Sequence, residues 1–81
     1  MFKWNKIYLD FGDEKMHMEI LLKQVRRNKS VTLNKLSEKS GISTTHINDI
    51  ENNIKSPSLF IMARLAKALD VEITELYKIK W

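Results

Sequence analysis

The chain has 81 residues, no cysteine, a hydrophobic fraction of 43% and a formal net charge of +4. This length fits one domain, the apolar content is too high for a disordered chain, and the lack of cysteine excludes disulfides and thiolate metal sites. Because no apolar run reaches the roughly 18 residues that cross a membrane, and the N-terminus lacks the zones of a signal peptide, we expect a cytoplasmic protein.

Residues 1–15 differ from the rest of the chain in their aromatic and apolar content. Ile7, Leu9 and Phe11 alternate with polar neighbours, and this period of two predicts a short strand over residues 6–11. Residues 15–28 predict the first helix, because apolar side chains recur there at the spacing of one helical face. Those apolar residues are Met18, Leu21, Leu22 and Val25.

Two short helices joined by a tight turn follow. Thr32 can cap the first of them, and Gly41 can end it, since glycine adopts the left-handed conformation without strain. Ser43 can cap the second, over residues 44–52. The apolar residues expected to fill the angle between the helices are Leu36, Ile42, Ile47 and Ile50. A turn glycine combined with apolar residues at these offsets predicts a helix-turn-helix.

The C-terminal third predicts two more helices and a strand. Ser56 and Pro57 predict the start of the fourth helix, with serine as the cap and proline in the first helical position. Its apolar stripe consists of Leu59, Met62, Leu65, Ala66 and Leu69. Phe60 and Ile61 flank the stripe, and we expect the N-terminal segment or a second subunit to cover them. A fifth helix is predicted over residues 73–77.

The alternation in residues 77–81 predicts a second strand. The two terminal strands either pair, within one chain or between two, as a small sheet that supports a dimer, or remain frayed tails. The predicted fold class is therefore all-α, with five helices and short terminal strands. The predicted division is an N-terminal extension over residues 1–15, a helix-turn-helix domain over 16–77 and a C-terminal tail over 78–81.

From about Met18 to Tyr77 the chain resembles the lambda-repressor/Cro-type helix-turn-helix domain, also called the xenobiotic-response-element (XRE) family. The matching segments are residues 33–43, 47–52, 56–59 and 65–71. The resemblance implies a five-helix lambda-repressor-like fold whose recognition helix, residues 44–52, enters the major groove of double-stranded DNA.

The resemblance also implies roles for individual residues. The residues expected to read bases are Thr44, Thr45, His46, Asn48 and Asp49. Those expected to contact phosphates are Thr32, Ser43, Asn52, Lys55 and Ser56. Leu33 stands where many relatives carry a glutamine that grips DNA, so this contact is absent and we expect Leu33 in the core. Arg26 and Glu51 match positions that form a partly buried ion pair.

A sequence pI near 9.5 agrees with an anionic partner. We therefore expect a sequence-specific DNA-binding transcriptional regulator that represses transcription as a homodimer, without cofactor or metal. Two histidines without cysteine do not predict a zinc site, and no phosphate loop or nucleophile–base set indicates an enzyme. An antitoxin and a protein-interaction module that binds another regulator remain as alternatives. RNA binding is disfavoured because the recognition helix lacks aromatic residues for stacking.

Overall fold

The structure is a computed structural model and describes residues 17–80. Its elements are β1 (His17–Ile20), α1 (Leu22–Asn28), α2 (Leu33–Ser40), α3 (Thr44–Glu51), α4 (Leu59–Leu69), a 3-10 turn (Ile73–Glu75) and β2 (Tyr77–Lys80). The described part is thus mostly helical, with a two-stranded antiparallel sheet that joins its two ends.

Four α-helices are present in this part of the chain, not the five predicted. The fifth predicted helix, over residues 73–77, is a single 3-10 turn at Ile73–Glu75. Its start is closed by a capping box, in which the Glu72 backbone N–H donates to the Glu75 carboxylate at 2.9 Å. Because β2 begins at Tyr77, the chain has room for one turn and no more.

The first predicted helix is wrong in its N-terminal half. Residues 17–20 form β1, and α1 begins only at Leu22. β1 pairs with β2, so the strand predicted at the C-terminus is confirmed over Tyr77–Lys80 and its partner lies in the same chain. The strand predicted over residues 6–11 lies outside the described residues.

The core lies where the four helices and the 3-10 turn meet. Its buried apolar side chains are Leu22, Leu36, Ile42, Ile47, Ile50, Met62, Leu65, Ala66, Leu69 and Leu76. Leu33 packs against this cluster while half-buried, as expected for a residue that replaces a DNA-gripping glutamine. Among residues 17–80, no helix combines the length and apolar character that a membrane span needs.

Three helices begin at side-chain caps. The hydroxyls of Thr32 and Ser43 accept backbone N–H groups at 3.1 Å, which confirms both predicted caps. The cap of α4 is Ser58, whose hydroxyl accepts from the Ile61 N–H at 3.1 Å, and not Ser56 as predicted. The helix therefore begins two residues later than expected, and Leu59 in its first turn is 76% exposed instead of part of the core.

Candidate nucleic-acid interface

The helix α3 packs one face into the core and exposes the opposite face to solvent. Ile47 and Ile50 are fully buried. With 3.6 residues per turn, Thr45, Asn48 and Asp49 lie on the side opposite these two. Thr45 and Asn48 are exposed and Asp49 is half-buried. The helix thus offers short polar side chains on its outer face.

Thr44 and His46 flank this outer face, and both are half-buried. All five predicted base-reading residues therefore lie on the outer face of α3 or beside it, between residues 44 and 49. Thr45 and Asn48 are the most accessible of these five residues, and the other three are half-buried. His46 donates its backbone N–H to the Ser43 hydroxyl, so its imidazole takes no part in this cap.

The α3 helix is tied to α1 by an ion pair between Arg26 and Glu51. Arg26 Nε donates to Glu51 Oε2 at 2.6 Å, and Nη2 donates to Oε1 at 3.1 Å, so the contact is bidentate. The side chains are 10% and 1% exposed, respectively. Arg26 Nη1 also donates to the Val31 carbonyl at 2.9 Å, which adds the α1–α2 loop to the same contact. This pair is the one that the family resemblance implied.

The turn between α2 and α3 is held from α4. Gly41 has a φ of +75°, and a Cβ atom there would collide with the Arg64 guanidinium. Arg64 Nη2 donates to the Ser40 carbonyl, the last of α2, at 2.6 Å, and its guanidinium carbon lies 5.7 Å from the centre of the Phe60 ring. Arg64 was not among the residues predicted from the sequence. The only local signal was the spacing of four residues that places Arg64 and Phe60 on one helical face.

Two residues predicted to contact phosphates, Thr32 and Ser43, lie at the starts of α2 and α3. Thr32 and Ser43 are exposed, and each accepts one N–H of its own helix. A hydroxyl that accepts through a lone pair still has its proton to donate. Both side chains can therefore cap a helix and donate to a phosphate oxygen at the same time.

The loop after α3 folds back on that helix. The backbone N–H groups of Ile54 and Lys55 donate to the Asp49 carbonyl at 2.8 and 3.2 Å. This positions Lys55 and Ser56, both exposed, beside the C-terminal end of α3. Ile54 is 67% exposed in the same loop. The loop thus has a fixed path, with a lysine at its surface.

Asn52 is engaged within the protein. Its side-chain Nδ2 donates to the Asn48 carbonyl at 3.0 Å and to Asn48 Oδ1 at 3.1 Å. Since an amide nitrogen has two hydrogens, both are used, and the remaining oxygen of Asn52 can only accept. The same bonds fix the Asn48 amide with its NH₂ group available. The arrangement favours Asn48 as a donor to a base edge and disfavours Asn52 as a donor to a phosphate.

Charges are distributed unevenly around α3. Its two acidic residues are Asp49 and Glu51, and Arg26 neutralises the second. In the part of the chain that the structure describes, the Asp49 carboxylate has no ion-pair or side-chain hydrogen-bond partner. Exposed basic side chains stand on the neighbouring elements in the chain, with Arg27 on α1, Lys35 on α2 and Lys55 in the loop after α3. Across residues 17–80, no three potential metal-ligating side chains come together.

A model of the helix-turn-helix family matches residues 22–76. Among curated proteins, the chain is 33% identical over 63 residues to YopS, a prophage-derived HTH-type transcriptional regulator of Bacillus subtilis, covering 76% of this chain and 85% of YopS. It is 32% identical over 53 residues to SinR of Bacillus subtilis, covering 64% of this chain and 48% of SinR. It spans 40% of the length of a related HTH-type regulator of Mycobacterium tuberculosis.

Solved structures are similar to about two thirds of this chain. The restriction-modification controller protein C.AhdI of Aeromonas hydrophila superposes with a TM-score of 0.65 at 30% identity, over 67% of this chain and 82% of that protein. SinR in complex with DNA gives a TM-score of 0.62 at 31% identity, over 65% of this chain and 86% of that chain. The chain is therefore similar to these proteins both in sequence and in three-dimensional structure.

Proposed function

The chain belongs to the helix-turn-helix family, and we propose that it is a DNA-binding transcriptional regulator that inserts α3 into the major groove of duplex DNA. The observation that carries this proposal is the outer face of α3, on which short polar side chains stand opposite a fully buried apolar pair. The similar protein SinR has been solved in complex with DNA, which supports DNA as the partner. We further propose that the protein is a repressor, binds as a homodimer and has no catalytic role.

Base reading is assigned to Thr45 and Asn48, with Thr44, His46 and Asp49 beside them. The Asn48 amide, fixed by Asn52, can donate to an acceptor on a base edge. The Thr45 hydroxyl donates or accepts, and its methyl group can contact the methyl of thymine. The Asp49 carboxylate accepts from cytosine N4 and repels phosphates, so it favours a cytosine at the position that it faces.

Phosphate binding is assigned to the helix starts at Thr32 and Ser43 and to the loop residues Lys55 and Ser56. Backbone contacts position a protein on DNA without reading sequence. Lys55 is the basic residue nearest to the end of α3 along the chain, so it supplies charge where the recognition helix leaves the groove. Asn52 contributes by holding Asn48 rather than by touching a phosphate.

The test is a selection of binding sites from random duplexes with the full chain, at two salt concentrations. Asn48→Ala and Thr45→Ala are each expected to weaken binding to the selected site by about 1 to 3 kcal/mol and to relax preference at one position. Thr74→Ala is the matched control, because Thr74 is also an exposed threonine but lies in the 3-10 turn. Its affinity and preferred site should equal those of the unmodified protein.

Lys55→Ala should behave differently from the base-reading variants. Loss of a phosphate contact weakens binding to all sequences alike and lowers the slope of log K against log salt concentration by about 1. Lys67→Ala, an exposed lysine of α4, is the control. Unchanged affinity and an unchanged preferred site in both Thr45→Ala and Asn48→Ala would rule out this reading face.

A further inference from the structure

The β1–β2 ribbon has one apolar and one polar face. Opposite and alternate residues share a face in an antiparallel pair, so Met18 and Ile20 lie on the same side as Tyr77 and Ile79. Ile20 and Tyr77 pack against the core. Met18 is 53% exposed and Ile79 38%, so the apolar face continues past the helical body with nothing in residues 17–80 to cover its end.

The outer edge of β1 is open in the described structure. Backbone groups of alternate residues point toward the partner strand, and those between them point away. The Leu21 N–H donates to the Leu76 carbonyl at 2.8 Å, which continues the ladder. It follows that Glu19 and His17 direct their backbone groups to β2, while Met18 and Ile20 direct theirs outward. An unpaired edge of this kind is a template for another strand.

The charges on the polar face of β1 are complementary to those of β1 in a second copy of the chain. When β1 pairs antiparallel with β1 of a second copy, centred on Met18, His17 faces Glu19 of the second copy, and the same contact recurs by symmetry. An imidazole N–H donates to a carboxylate in either protonation state of histidine. Centring the pair on Glu19 instead would oppose two glutamates, which is unfavourable.

The other edge of the ribbon is unsuited to self-pairing. β2 carries Lys78 and Lys80 on its polar face. Any twofold antiparallel pairing of β2 with itself that keeps the apolar residues on one side places lysine opposite lysine. The charge pattern therefore disfavours a β2–β2 contact and leaves β1 as the self-complementary edge.

We propose that two copies of the chain associate through β1, antiparallel and centred on Met18, and form one four-stranded sheet. This rests on the homodimer proposed above and assigns its interface. A twofold axis perpendicular to the sheet keeps both apolar faces on one side, where the Met18 side chains of the two copies meet. The outward backbone groups of Met18 pair with those of the second copy, and two His17–Glu19 contacts flank them.

Charge exchange tests this register in the full chain, with the dimer dissociation constant measured by sedimentation equilibrium. His17→Glu opposes two pairs of glutamates, so we expect dimerisation about tenfold weaker. The double variant His17→Glu/Glu19→His restores each contact in reversed order and is expected to recover the original dissociation constant. It also keeps a carboxylate beside Lys80, which Glu19 contacts at 3.1 Å.

Lys67→Glu, a charge change on the exposed side of α4 and outside the ribbon, is the control and should leave dimerisation unchanged. Met18→Arg, which opposes two arginines at the apolar centre on the other face of the sheet, should weaken the dimer as His17→Glu does. Far-UV circular dichroism of each variant checks that the helical body is folded. The proposal is overturned by a wild-type protein that stays monomeric, by a His17→Glu variant that dimerises normally, or by a double variant no tighter than the single.

Binding of each variant to a DNA half-site, measured in parallel, separates this proposal from the proposed function. The interface variants should keep their half-site affinity, because β1 carries none of the reading or phosphate-binding residues. Loss of dimerisation with half-site binding retained therefore concerns the sheet alone. A folded wild-type protein that binds no duplex at either salt concentration would count against the function instead.

Discussion

Glu51 anchors α3 to α1 through a buried ion pair. Its side chain is 1% exposed, and it meets Arg26 through two hydrogen bonds. A buried charge that keeps a bidentate partner is tolerated, whereas one without a partner is strongly unfavourable. The pair therefore constrains where α3 sits relative to α1 and makes both residues sensitive to substitution.

Arg26→Met should destabilise the fold by about 3 to 5 kcal/mol, because it leaves the Glu51 carboxylate buried without a partner. The Val31 carbonyl loses its donor in the same variant. Urea unfolding followed by circular dichroism measures the change. Arg26→Met/Glu51→Leu, which removes both charges, should recover most of the loss. A single variant as stable as the unmodified protein would mean that the pair contributes little.

At the scale of elements, stability measurements can distinguish which serine caps α4, since the sequence predicted Ser56 and the structure shows Ser58. Ser58→Ala should lower the free energy of unfolding by about 1 kcal/mol, since it removes the hydroxyl that accepts the Ile61 N–H. Ser56→Ala, two residues earlier and exposed, should change it by less than about 0.5 kcal/mol. Equal losses in the two variants would contradict the position of the cap. Thermal or urea unfolding of both provides the comparison.

Local signals predicted the helix-turn-helix well. Thr32, Gly41 and Ser43 each determine a helix end through their own side chain or backbone freedom, so neighbouring sequence suffices to place them. The buried pair Ile47 and Ile50 similarly determined which face of α3 points outward. These features depend on residues only a few positions apart.

Features that depend on distant partners were not predictable in the same way. Met18 fits both the helical spacing with Leu21 and Leu22 and the strand alternation with Ile20. The choice between them is made by β2, about sixty residues further on, because its Tyr77 pairs with Ile20. The Arg64 contact with the Ser40 carbonyl is also long-range in sequence. No local sequence pattern predicts the strand pairing or the Arg64 hydrogen bond.

On the scale of the whole molecule, Leu76 joins the ribbon to the helical body. It is fully buried although it lies after the last helix, and its carbonyl accepts from the Leu21 N–H. The core thus includes a residue that the helix-turn-helix itself does not supply. The stability of the helix-turn-helix consequently depends on a residue near the C-terminal end of the described chain.

Leu76→Ala should cost about 2 to 5 kcal/mol, as expected for a large-to-small change at a fully buried site. The loss should appear as one cooperative transition, with circular dichroism of the helices and amide signals of β1 disappearing together. Ile79→Ala, a partly exposed apolar residue of β2, is the control and should cost much less in the monomer. Two separate transitions would show that ribbon and helices unfold independently.

The ribbon also determines the order in which the domain can assemble. Contacts within α2, the turn and α3 join residues close in sequence, and the loops that they close are short. The pairing of His17 with Lys80 joins the two ends of the described chain, so its closure costs the most chain entropy. Folding should therefore begin in the helix-turn-helix and finish with the ribbon. A nascent protein would thus acquire the face proposed to bind DNA before it acquires the edge proposed to join two copies.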